Sequence, residues 1–371
     1  MNYRDITGIF IEIELRLIAS LKRNLASHKA WEKSEGFQWT AWQAEKINNL
    51  EQFRRENKEI VDDYTNVIDQ ETEMMLREQF AEGEELKHNP PKPDSISEEH
   101  FFGVNESRLN KLIEDTLDRE HNAQSAALRM MDDVYRQTII KTHIAMGAGA
   151  VTLPQAVDIA TKDFLRAGIN CIEYANGRRV NISDYVQMAL RTAATRSYLQ
   201  GEARKRDALG IDTVLVSQYG ACSETCLPWQ GRVYVDDVWG AWSGERSGDR
   251  GRSTNGKWYP LLSVAVKNGL FHPNCRHTVS TWYDGVSASP EPPDEKTVKE
   301  NAKLEQRQRG LEREVRKWKR MEAGTQDPKT RALYRKRTRE AQKDLRIFVA
   351  EHSDVLRREY WREKVYGETT R

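Results

Sequence analysis

The sequence predicts a mainly α-helical protein with a central α+β domain, and three observations predict it. Apolar residues recur at three- and four-residue steps over long stretches towards both ends. Between about Asn170 and Trp282 the pattern changes to short β-prone runs separated by turns. Within it, the part from Tyr219 to Asp284 holds Cys222, Cys226, Cys275, His272 and His277, three of the chain's four cysteines among them.

Taken in order, Ile6, Ile9, Phe10, Ile13, Leu17 and Leu21 mark a helix from about Asp5 to Ala26. Thr40-Ala41-Trp42-Gln43 reads as a capping box that opens a long second helix reaching about Ala81. Trp31, Trp39 and Trp42 cluster at the turn before it, as core packing. The prolines of His88-Asn89-Pro90-Pro91-Lys92-Pro93 remove backbone donors and fix φ, so a linker is expected near 88–94. Leu109, Leu112, Ile113, Leu117, Met130, Val134 and Ile139 predict one long helix or two collinear pieces from Asn105 to Met146, ended by Gly147-Ala148-Gly149-Ala150. The last segment is not a phosphate loop, because it follows a helix and lacks the Gly-Lys-Ser/Thr ending.

The central domain opens with a helix from Thr152-Leu153-Pro154-Gln155 to Ala167, with proline in its first turn. Asn176-Gly177 between two β-prone runs predicts a hairpin. Ser183 is expected to cap the next helix, which runs to Gly210. Thr213–Ser217, Arg232–Val235 and Thr278–Trp282 read as strands of a small, mostly antiparallel sheet, and Leu261–Lys267 as a short helix. The Gly/Ser/Arg-rich run from Trp239 to Gly256 reads as a mobile loop. A second proline-bearing linker spans Ser287 to Asp294. Beyond it, Leu304, Leu311, Val315 and Trp318, then Leu333, Ala341, Leu345 and Phe348, predict a helical hairpin. The expected domains are 1–104, 105–285 and 295–371. The narrow apolar stripe of the hairpin suggests that it projects from the body.

With 371 residues, 31% of them charged, much of the chain must be solvated helix. The net charge of +1 is uninformative, but its distribution is not. Residues 51–100 carry fifteen acidic and six basic side chains, whereas 301–346 carry sixteen basic and seven acidic. Such asymmetry marks the basic end as an interaction surface for DNA or for an acidic protein, with a solvated helix face as the plain alternative. Four cysteines, no leader-like segment and no apolar run of membrane-spanning length point to a protein made in a reducing cytoplasm, with no membrane partner.

Three readings fit the cysteine-rich stretch. Thiolate and imidazole suit Zn²⁺, and two chelating arms separated by a loop build small zinc sites. Cys222, Cys226 and Cys275 with His272 or His277 would then hold a structural Zn²⁺. Cys222-x3-Cys226 has standard spacing, while Cys275-Arg276-His277 is tighter than the common second arm. In the second reading the cysteines are reduced and packed as small hydrophobes. In the third, His272, Asn274 and His277 serve a metal-dependent nuclease or toxin-like enzyme, with Glu224, Asp236 and Asp237 as acids nearby. A Cys222–Cys226 disulfide would close a very small loop and stabilise little.

Three groups of residues carry a family resemblance. They are Gly168-Ile169-Asn170 with Gly177-Arg178, Tyr185 and Arg191-Thr192; Cys222 and Cys226 with Gln230-Gly231 and Gly269-Leu270-Phe271-His272-Pro273-Asn274-Cys275-Arg276-His277; and the tail from Glu305 to Arg320. In these the chain resembles the minor capsid protein 2 family of tailed bacteriophages, related to the Mu F-type head morphogenesis proteins. The resemblance implies a structural, non-enzymatic protein made in the host cytoplasm and built into the phage head. Its implied partners are the portal protein and the major capsid protein, with packaged DNA as a further contact for the basic hairpin. Mu F-type relatives often end the second motif with cysteine where this chain has His277, which leaves open which imidazole is a ligand.

Overall fold

The computed structural model describes residues 2–26, 39–85, 102–147, 153–288, 290–291 and 293–363. The expected linker near 88–94, Trp31, and Ala148 to Ala150 lie outside them. The helices are α1 (Tyr3–Ala26), α2 (Trp39–Asn48), α3 (Leu50–Glu84), α4 (Phe102–Gly147), α5 (Leu153–Ala167), α6 (Ile182–Ala208), α7 (Leu262–Lys267), α8 (Glu295–Gly324) and α9 (Pro328–Glu351). The strands are β1 (Ile172–Glu173), β2 (Arg179–Val180), β3 (Thr213–Val216), β4 (Val233–Val235), β5 (Arg246–Ser247), β6 (Arg250–Arg252), β7 (Trp258–Pro260) and β8 (Val279–Thr281). A mainly α chain with a small antiparallel α+β core is what the sequence predicts, and α4 spans Asn105 to Met146 as a single helix. Among the described residues no helix is long and apolar enough to cross a membrane.

Contacts divide the chain into two compact units. One comprises residues 1–3, 70–118 and 188–306, and the other 4–69, 119–187 and 307–371. Each unit gathers parts distant in sequence.

In the first unit β3 is the central strand of the order β4-β3-β8, antiparallel on both sides. Val214 and Val216 of β3, Tyr234 of β4 and Val279 of β8 bury their side chains with Leu199 of α6 and Leu262 and Ala265 of α7. Val298, near the start of α8, joins the same core. Burying each large apolar side chain contributes roughly 1.5–3 kcal/mol. Within this unit α3 and α6 cross at two glycines. A Cβ on Gly83 would lie 2.2 Å from the Tyr198 carbonyl oxygen, and one on Gly201 would lie 2.0 Å from that of Phe80. The crossing therefore requires residues without a side chain.

The expected mobile loop is instead partly a sheet. Residues 246–260 form the antiparallel order β5-β6-β7. Asp212 holds its turn, accepting from Ser253 Oγ at 2.5 Å and Thr254 N at 2.9 Å. Two of its strands hold only Arg, Gly and Ser, and each strand is two or three residues long, too short to show a period of hydrophobicity.

In the second unit α1 buries the predicted stripe of Ile6, Phe10, Ile13, Leu17 and Leu21. The expected single helix from Thr40 is two, α2 and α3, with Asn49 between them. Trp42 is 1% exposed and so packs in the core, as expected. Phe53 of α3 stacks on Tyr135 of α4 at 4.3 Å, and Tyr135 OH donates to the Lys46 carbonyl at 3.1 Å. The β1–β2 hairpin forms around Asn176-Gly177, with Gly177 at φ 76. Helix α6 is capped by Asn181 rather than Ser183: the Asn181 side chain accepts from Ser183 N at 3.0 Å.

The α8–α9 hairpin forms, but within this unit it does not project. Ile18 of α1, Leu165 of α5 and Met321 of α8 share a core against Phe164, Trp318 and Tyr334. Leu333, expected on the inner stripe, is exposed. Polar side chains do much of the docking. Arg320 is buried and donates to the carbonyls of Arg166 and Ala167 at 3.2 and 3.4 Å. Gln308 donates to the Arg357 carbonyl at 2.8 Å, and Arg316 pairs with Asp184 at 2.9 Å.

Candidate metal centre

The site lies in the first unit, on turns at the ends of β3, α7 and β8. After β3 the chain turns through Cys222 and Cys226, and the Cys226 amide donates to the Ser223 carbonyl at 3.0 Å. After α7, Gly269 at φ 106 lets the chain reverse into Phe271–His277. Phe271 at φ 56 and Asn274 at φ 68 take left-handed conformations that cost non-glycine residues about 1–3 kcal/mol each. Asn274 is held there by two partners: its amide donates to Thr192 Oγ1 at 3.1 Å, and its side-chain oxygen accepts from Arg191 at 2.8 Å. The strained loop thereby presents His272, Cys275 and His277 on successive bends.

Three ligand atoms, from Cys226, His272 and Cys275, all lie within 4.8 Å of one another. The two sulfurs are 3.7 Å apart. His277 stands beside them, its Nδ1 3.2 Å from Cys275 Sγ. Cys222 is outside the group of three; it is 4% exposed and packs in the core with Leu270 and Val279. Burial pushes the Cys222 thiol up to about 11, which suits a packed neutral thiol. Cys226 behaves oppositely. The contact with Cys275 is the largest of those that hold its thiol below the ordinary range despite burial. Cys275 is pushed up, by that same contact with Cys226 and then by burial.

Both imidazoles have one nitrogen anchored and the other turned inward. His272 Nδ1 is 2.8 Å from the Pro273 carbonyl, which can only accept, so Nε2 is the nitrogen free of a proton and lies 3.0 Å from Ser223 Oγ. His277 Nε2 is 3.0 Å from Gln230 Oε1. That oxygen also accepts from Tyr219 N at 2.8 Å, which fixes the amide and makes His277 Nε2 the donor. His277 Nδ1 is then the available lone pair. An imidazole oriented by an acceptor on its second nitrogen is the usual arrangement of a metal-ligating histidine. Ser223 was not singled out by sequence reasoning, and Gln230 only within a motif; nothing in their spacing marks them as the groups that orient the imidazoles.

Of the three acids weighed for a catalytic reading, two have partners of their own. Buried Asp236 pairs with Arg206 at 2.6 Å. Asp237 accepts from Ser263 N at 2.8 Å, at the start of α7. Glu224 is exposed, and the described metal-binding group contains no carboxylate. Around the site, Arg276 stacks over the Tyr219 ring at 5.0 Å and pairs with Glu305 of α8 at 3.0 Å. This ties the first turns of α8 to the cysteine-bearing loops.

Comparison with known proteins places the chain in a family. Residues 2–350 match the family described as Phage minor capsid protein 2. The chain belongs to that family. A relative named "Structural protein", from Lactococcus phage LL-H, is 24% identical over 284 residues, which cover 74% of this chain and 73% of that protein. No solved structure matches. The phage minor capsid chain is therefore a structural head protein and a virion component, and its Cys/His cluster is a feature of its α+β unit.

Proposed function

We propose that this minor capsid protein acts without catalysis: it is made in the host cytoplasm and docks in the head on the portal protein and the major capsid protein. The match over residues 2–350 carries the reading. The absence of a carboxylate from the described Cys/His group supports a structural over a hydrolytic role. A phage carrying a nonsense codon in this gene tests it. Non-permissive growth should give defective or empty heads, and tagged protein should co-purify with portal and major capsid proteins. Normal, infectious particles without the protein would contradict the reading.

We further propose that the cluster holds a structural Zn²⁺ through Cys226, Cys275, His272 and His277. Zn–S bonds of about 2.3 Å at a tetrahedral angle place two sulfurs about 3.8 Å apart, close to the 3.7 Å separation of Cys226 and Cys275. The zinc would pin the turn after β3 to the loop before β8, making metal-binding free energy part of folding free energy. Contact with packaged DNA is a second reading, favoured by the sixteen basic residues between 301 and 346.

A further inference from the structure

A groove of 540 Å³ in the second unit runs between the end of α5, the β1–β2 hairpin and α8. Seven arginine and lysine side chains line it against three carboxylates. Some of these cations are already satisfied: Arg316 pairs with Asp184 at 2.9 Å, and Arg320 donates to α5 carbonyls. Arg166, Arg178 and Arg313 are not. All three are exposed, and among the described residues none of their guanidinium groups pairs with a carboxylate. They come from α5, the β1–β2 turn and α8, and a buried knot fixes the end of α5 to the residue after β2. Glu14 accepts from Ile169 N at 2.8 Å and from Asn181 Nδ2 at 2.6 Å. Gly168, at φ +78, brings the chain so close that a Cβ there would lie 2.4 Å from Glu14 Oε1.

Two observations say what the groove fits. Its lining offers no large apolar side chain: beyond charged and polar residues there are only Ala167, Val180 and Gly310. An acidic protein segment would find no pocket for the apolar anchors that dominate protein interfaces, whereas a phosphodiester backbone needs only charge and donors. The basic character also extends beyond one point. A second groove of the same unit, 810 Å³, is lined partly by α8 and holds six basic side chains against two carboxylates, with Arg339 exposed and, among the described residues, without an ion pair. A ligand with regularly repeated charge suits such a surface better than a single phosphate.

We propose that the groove bearing Arg166, Arg178 and Arg313 binds the phosphate backbone of double-stranded DNA without sequence preference; this deepens the head-protein reading and rests on it for where DNA is met. Guanidinium forks donate two bonds to one phosphate. The test uses purified full-length protein and a short fluorescent duplex, with anisotropy read at low and moderate salt. Arg166→Gln/Arg178→Gln/Arg313→Gln should weaken binding about tenfold or more and flatten the dependence of log K on log salt by about 2–3. Arg55→Gln/Arg246→Gln/Arg337→Gln, an equal charge change on exposed positions outside both grooves, should weaken it less than about threefold. Circular dichroism confirms that both variants fold. The proposal is overturned if the two variants lose affinity equally, if the parent protein does not bind DNA at low salt, or if polyglutamate competes as well as unlabelled duplex. Incorporation of the groove variant into particles, read by mass spectrometry, reports the structural role separately: normal incorporation with lost DNA binding supports the groove, and absence of the parent protein from particles overturns the head-protein reading alone.

Discussion

Cys226 and Cys275, 49 residues apart in sequence, bring their sulfurs to 3.7 Å and group with His272, whereas Cys222, four residues from Cys226, is outside that group. This sorts three chemically identical side chains into two roles. Cys226→Ser and Cys275→Ser should each abolish stoichiometric zinc, measured by inductively coupled plasma mass spectrometry on protein purified without chelator. Cys222→Ala should keep the metal and cost about 1 kcal/mol in urea unfolding, the loss expected for a small buried group. Metal lost equally in all three variants would restore Cys222 as a ligand.

Gly201→Ala should destabilise the protein by at least about 2–3 kcal/mol, because the new methyl meets the Phe80 carbonyl and backbone cannot step aside as a side chain can. Gly310→Ala, inside α8 with its nearest neighbouring atom 4.0 Å away, should do the reverse and stabilise by up to about 1 kcal/mol. Thermal melts of the two variants read the opposite signs directly.

The buried pair Arg206–Asp236 predicts a large single effect. Both side chains are at most 2% exposed and 2.6 Å apart. Asp236→Asn leaves an uncompensated buried guanidinium and should cost about 3–5 kcal/mol. A loss under about 1 kcal/mol, by denaturant titration, would mean that Glu202 takes over the pairing.

Glu202 makes stability depend on pH in an uncommon direction. Burial, only partly offset by Arg206, raises its carboxyl from 4.5 to about 7. The folded state therefore holds this proton where the unfolded state has lost it. Its contribution is fully present below about pH 4.5 and fades as pH rises towards about 7. Glu202→Gln should flatten that decline, and the difference between parent and variant stability, measured from pH 4.5 to 7.5, should grow with pH. A constant difference would contradict the shift.

Long elements were legible because each buries one apolar face. The stripe from Ile6 to Leu21 and the sustained period of α4 specify their helices without help from the rest of the chain. The break at Asn49 was not, since residues on both sides keep the helical period. The β5-β6-β7 sheet was hidden because its strands are two or three residues long, two of them only Arg, Gly and Ser, and depend on Asp212, distant in sequence, for a turn. The hairpin was misjudged as projecting because its docking face is partly polar: Gln308, Glu312 and Arg320 are buried, with partners that hydropathy does not register. At the candidate metal centre the ligand types were visible in the sequence. The division between Cys222 and Cys226 was not, because it depends on which way a short turn faces.

The claim that this chain is a structural component of the phage head is tested most directly by quantitative mass spectrometry of nuclease-treated, gradient-purified virions. Peptides from across residues 2–350 should be present at a constant ratio to the major capsid protein, well below one copy per shell subunit. Particles that are complete and infectious yet contain no peptide of this chain would contradict it.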